Sequence, residues 1–159
     1  MARRSFPFSP ATATALRVGD VIPVPGPGGT WACLQVLELE PRRRKSFVVG
    51  LLPWRGFRPP AAGDVDGLVP MTRALTRIEI FTEAGLQVTG NVPPNDAGQE
   101  RFHGPSYVDK TTSVWGWIAT VRTARYAAAN ELSKEPETAL EQIRKGLIAS
   151  AESDAYKVP

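Results

Sequence analysis

The fold turns on residues 17–40, RVGDVIPVPGPGGTWACLQVLELE, a stretch rich in Val, Ile and Leu that interrupts itself with Pro23, Pro25 and Pro27 and with Gly19, Gly26, Gly28 and Gly29. In an extended strand the backbone N–H groups alternate in direction, so residues two apart face the same neighbouring strand. Pro23 and Pro25 are two apart, and a proline has no N–H to give. Both gaps fall on one flank, leaving Ile22 and Val24 to donate on the other. The partner on that donating flank is residues 30–39, reached through Gly26-Pro27-Gly28-Gly29, whose glycines admit the positive φ angles that a reversal needs. The prolines mark this first strand as a sheet edge or a barrel seam. Asp20 shares a side with Val18, Ile22 and Val24, a costly place for a charge unless its carboxylate accepts nearby backbone N–H groups. It reads as fixing a bend.

The neighbouring segments extend the same pattern. Further strands are expected at 46–52, 75–81 and 86–89, the last two joined by a short hairpin at Gly85. Thr76, Ile78 and Ile80 alternate with Arg77 and Glu79, as in a half-buried antiparallel strand, whereas SFVVGLL is apolar without a break and needs cover on both faces. After residue 119 the composition shifts to Ala, Glu, Lys and Leu. Leu140, Ile143 and Leu147 follow helical spacing and predict a helix over 133–153, with Ser133 as its cap and Glu135, Pro136 and Glu137 in its first turn. VRTARYAAANEL before it is Ala-rich and helical, while SVWGWIATV fits a strand or the start of that helix; Trp115 and Trp117 are expected in the core. Strands first and helices last predict an α+β fold, a small antiparallel sheet or SH3-like partial barrel followed by C-terminal helices. Residues 53–74 and 90–112 are dense in Gly and Pro and read as long loops.

The 159 residues suffice for one core. The expected organisation is a single domain over 17–159, β-rich to 118 and helical from 119. The basic opening MARRSFPFSPATATAL lacks the apolar stretch of about 7 to 15 residues that a secretory signal carries, and reads as a flexible tail over 1–16. No apolar run approaches the ~18 residues of a membrane span, and a single cysteine, Cys33, makes no internal disulfide. A cytoplasmic protein without membrane contact is expected. The net charge of +3 resides largely in Arg3, Arg4, Arg42, Arg43, Arg44 and Lys45. The cluster at 42–45 sits on a hairpin tip, where it either grips phosphates or keeps the tip solvated.

Residues for catalysis are scarce. His103 is the only histidine, which rules out a site with two histidine ligands, and no other metal or cofactor site is expected. An enzyme would have to use His103 with Glu100 or Asp109. Cys33 lies mid-strand among apolar residues and reads as a small core side chain. Asp64 and Asp66 lack the further ligands of an acidic metal loop and read as turn residues. LLPWRGFRPP is different, because Trp54, Arg55, Phe57 and Arg58 combine two aromatics with two guanidinium groups on a proline-stiffened loop. Those residue types dominate interface hot spots, and they also stack unpaired bases. The alternative is that Trp54 and Phe57 cap an open end of the sheet.

The run Gly19-Asp20-Val21-Ile22-Pro23, with Pro25, Gly29, Trp31 and Gln35-Val36-Leu37, resembles the start of the immunity protein 26 family of bacterial polymorphic-toxin systems. The resemblance covers about the first 90 residues. It implies a small β-rich cytoplasmic protein that neutralises a toxin by binding it, with no chemistry of its own. The expected function is therefore non-enzymatic binding of a protein partner, with Trp54, Arg55, Phe57, Arg58, Arg42, Arg43 and Arg44 as the partner-binding candidates. Nucleic-acid binding on a small barrel is the alternative.

Overall fold

The computed structural model describes residues 4–95 and 113–149. Its strands are β1 (Asp20–Pro25), β2 (Trp31–Glu38), β3 (Ser46–Gly56), β4 (Ala74–Arg77), β5 (Gly90–Asn91) and β6 (Ser113–Val114), and its helices are α1 (Ala62–Val65), α2 (Glu79–Thr82), α3 (Trp117–Ala129) and α4 (Pro136–Ala149). One sheet runs in the order β5-β1-β2-β3-β4-β6. Its first five strands are antiparallel neighbours, and β6 joins β4 in parallel. The fold is α+β, as strands first and helices last require. The sheet stays open and does not close into a barrel: its outer strands β5 and β6 are two residues each.

The proline spacing sets the directions along β1. Gly26, in step with Ile22 and Val24, donates to the Thr30 carbonyl at 2.7 Å on the β2 flank, while Val21, in step with Pro23 and Pro25, accepts from Thr89 N–H at 3.0 Å on the other. One correction follows, because β1 is not the edge. Strand β5 pairs with Asp20 and Val21 and stops there. Two residues on, Pro23 has no donor to continue the ladder, and Val88 instead exchanges two hydrogen bonds with Phe8, at 2.8 and 3.0 Å. A cleft of about 320 Å³ remains between Pro23, Pro25, Trp31 and Pro59 on one side and Leu86 and Thr89 on the other.

The expected flexible tail is also corrected. From residue 4 onward the segment packs on the domain: Phe8 bridges Val88, and Ala13 and Leu16 enter the core. Its anchor is Arg4, whose terminal nitrogens reach the two Asp20 oxygens at 2.6 and 2.7 Å. Phe6 and Phe8 lie under the same guanidinium, 5.3 and 5.1 Å from its centre. Asp20 is 0% exposed and also accepts from Arg17 N–H and from Asn91 Nδ2, so the bend-fixing carboxylate is fully partnered.

Strand β3 explains the unbroken apolar run. Phe47, Val49 and Leu51 face α3 and α4 in the larger core, with Ile22, Leu34, Val121, Ala124 and Ile143. Leu52 faces a second cluster with Val21, Cys33, Val65 and Val92. The segment 53–74, expected as a loop, supplies that second cover through α1 and Leu68. The expected end of β3 at Leu52 is wrong for an instructive reason. Ala32 pairs with Arg55 but Leu34 pairs with Leu51, so β3 carries extra residues opposite Cys33. Pro53 lies in that bulge, where a missing N–H breaks no rung.

Strand β4 ends earlier than expected. Its partner β3 begins at Ser46, opposite Arg77, and the Ile78 N–H takes the Lys45 carbonyl at 2.8 Å. Beyond that point β3 offers no further residue to pair with, and the backbone satisfies itself in α2. Thr76, Ile78 and Ile80 are all buried as expected, the last of them from a helix. Gly85, at φ 80°, ends this turn with its N–H on the Phe81 carbonyl, so it is a helix stop and not a hairpin. Helix α4 starts at Pro136 and not at Ser133, whose hydroxyl accepts from Glu135 N–H instead. Ala139 and Ile143 bury its apolar face. Residues 150–153 of the expected helix lie outside the described residues. The undecided 113–121 stretch is both things, β6 and then the start of α3. Trp117 packs against the core, while Trp115 is half-buried beside Leu140 and Leu147.

Candidate functional site

Against the loop that the sequence predicts over residues 54–58, Trp54, Arg55 and Gly56 continue β3 beyond the bulge. Trp54 and Gly56 share a strand face, and a Cβ at Gly56 would sit 2.9 Å from the Trp54 ring. Glycine there lets the indole lie flat across the strand and pack on the second cluster. Trp54 is therefore a covering residue for the sheet. Phe57 is the opposite case: it is 80% exposed, the most exposed large apolar side chain among the described residues.

Both arginines of this stretch are held. Arg55 donates through Nε to the Ala128 carbonyl at 3.3 Å, in the last turn of α3, where carbonyls lack intrahelical partners and favour a cation. Arg58 makes a two-pronged bridge to Asp64, at 2.7 and 2.9 Å. Asp64 also accepts the Ala61 N–H at 2.8 Å. The Arg58 hydrogen bonds, and after them the Ala61 N–H, hold the Asp64 carboxyl at about 2. Asp64 is thus a turn residue, as expected, and its bridge ties the end of β3 to α1.

Beside this stretch lies a groove of about 350 Å³ between β3 and the α3–α4 connection. Leu52 and Met71 are buried in its lining, Trp54 and Leu132 are half-buried, and Arg55 and Lys134 are exposed. Sequence reasoning missed the wall formed by the α3–α4 connection, because nothing local in residues 130–134 points to β3.

The basic tip is elsewhere. Arg42, Arg43 and Arg44 are exposed on the turn before β3. Their backbone is fixed: Arg42 and Arg43 N–H groups bond Glu40, and the Arg44 carbonyl accepts from Ala13 at 2.6 Å. Strand β3 has 11 residues, so at about 3.3 Å per residue the two arginine clusters sit roughly 30 Å apart. They lie at opposite ends of β3.

The other candidates divide. Burial pushes the Cys33 thiol up to about 12, which suits the core residue expected and removes its nucleophilicity at neutral pH. His103, Glu100 and Asp109 lie outside the described residues. Among the described residues no three His, Cys, Asp or Glu side chains gather as metal ligands, and no helix is long and apolar enough to cross a membrane.

The residues behind the immunity-protein resemblance build scaffold. Gly19 holds φ 96° against the Val92 carbonyl, where a Cβ would collide. Gln35 is buried and donates to that same carbonyl at 2.9 Å. The chain matches no family model, no curated protein and no solved structure.

Proposed function

We propose that this protein acts by stoichiometric binding of a protein partner, as an immunity protein blocks a toxin, and performs no chemistry of its own. The observation that carries this reading is Phe57. A large aromatic side chain is left in solvent at the end of the longest strand, between two arginines that are already fixed. Aromatic and Arg side chains dominate interface hot spots, and the flanking arginines, already held by the fold, lose little freedom on binding. The resemblance to immunity protein 26 adds the toxin as the kind of partner.

Nucleic-acid binding would draw on the tip at 42–45 together with the aromatics at 54–58. Their separation across β3, and the pairing of Arg58 with Asp64, favour the protein reading. The test is capture with the intact chain from the cells that make it, followed by native mass spectrometry. A one-to-one protein complex, lost with Phe57→Ala, is expected. Equal recovery with Phe57→Ala, or salt-sensitive recovery of nucleic acid alone, would contradict the proposal.

A further inference from the structure

The binding reading leaves open what chemistry the partner presents, and the groove beside Phe57 bears on that. We propose that this groove takes an acidic side chain together with an adjoining large apolar side chain of the partner protein. The inference rests on the binding reading above and adds the partner's chemistry to it.

The apolar half comes from the lining. Leu52 and Met71 form buried floor, and the Trp54 indole, held in place over Gly56, forms a flat wall. A volume of about 350 Å³ lies at the low end of the ~300–1,000 Å³ found for sites that enclose compact groups. It suits one large side chain with a carboxylate at its edge.

The acidic half comes from Arg55. Its Nε is committed to the Ala128 carbonyl, which fixes the plane of the guanidinium. Both terminal nitrogens lack a protein acceptor among the described residues. A guanidinium tethered by Nε presents its remaining N–H groups as a fork that matches a carboxylate, and little freedom is lost on binding because the fork is already oriented. Lys134 lines the same groove without an ion pair, and Glu131 is the single carboxylate in the lining, both among the described residues. Two cations against one carboxylate favour an anion there.

The test uses a matched pair of probes on the full chain, N-acetyltryptophan and its neutral amide, followed by NMR titration at neutral pH. Both are expected to shift the Trp54 indole and the backbone signals of Ala127 and Leu132. The acid should bind about fivefold more tightly than the amide, as a charge-assisted hydrogen bond at an exposed site allows. Arg55→Leu should abolish that preference, Arg42→Ala should leave it intact, and Lys134→Ala should lower it about twofold. Should Arg55→Leu fail to fold, the Lys134→Ala result decides. Absent shifts in the groove, equal affinity for the two probes, or a preference that survives these groove variants would overturn the proposal. Partner capture that is lost with Phe57→Ala but unchanged with Arg55→Leu would also remove the groove, while leaving the binding reading in place.

Discussion

The two ends of β3 each carry a cluster of arginines, and they are built on different plans. At the Ser46 end, hydrogen bonds fix the backbone of residues 42–44, and the Arg42, Arg43 and Arg44 side chains are exposed. At the Gly56 end the side chains themselves are fixed, with Arg55 on a helix carbonyl, Arg58 on Asp64, and Trp54 folded over a glycine. Beside them one large aromatic ring, Phe57, is left in solvent. The lesson is that positive charge alone does not mark a site. A cluster becomes a candidate interface when its ordering cost has already been met by the fold.

The most damaging test of this contrast is Gly56→Val, which forces the Trp54 ring away from the strand. Unfolding in urea should show a loss of about 2 kcal/mol from overpacking, and partner binding should fall with it. Phe57→Ala comes next: stability should change by less than ~0.5 kcal/mol, while the partner's Kd weakens about 30-fold, near 2 kcal/mol, as at a hot spot. A Phe57 variant that unfolds the chain would place the ring in the core and dissolve the contrast.

The Arg58–Asp64 bridge gives a smaller, pH-dependent effect. Asp64 is held at about 2, below its usual 3.8. A depressed folded pKa contributes stability that is full above about pH 4 and lost as pH falls through the folded value. NMR titration of the Asp64 carboxyl should therefore find it ionised at pH 3, and Arg58→Ala should return it toward 3.8. Because the pair is exposed, overall stability should hardly respond. The smallest effect is expected at the other end of the strand. Replacing Arg42 and Arg44 together by Ala should alter neither partner affinity nor the urea midpoint measurably, and should only weaken salt-sensitive adsorption to polyanions.

The parts of this molecule that were legible in the sequence share a cause: the signal lay within a few residues of its effect. The spacing of Pro23 and Pro25 fixed which flank of β1 could donate, and SFVVGLL announced a strand covered twice. The buried Asp20 was recognisable as a carboxylate in need of backbone donors, and Arg17 N–H is one of them. What was hidden depended on distant partners. Arg4 looked like a tail charge until the fold brought it to Asp20. Pro53 looked like a strand end because its bulge exists only in register with Cys33. Ile78 and Ile80 alternated like strand residues, yet the neighbour they needed begins at Ser46. In the candidate site the residue types were readable, but their division of labour was not. Trp54 covers the sheet while Phe57 stays in solvent, and that difference follows from Gly56, which lets the indole lie over the strand, and from the end of β3 before Phe57.

A paired photo-crosslinking experiment compares the two ends of β3 in a single assay, with p-benzoylphenylalanine placed in one chain at Phe57 and in another at Arg43. A discrete one-to-one protein adduct from position 57, with none from position 43, is the predicted result. An adduct from position 43 alone, or the same adduct from both positions, would contradict the assignment of the interface to the Gly56 end.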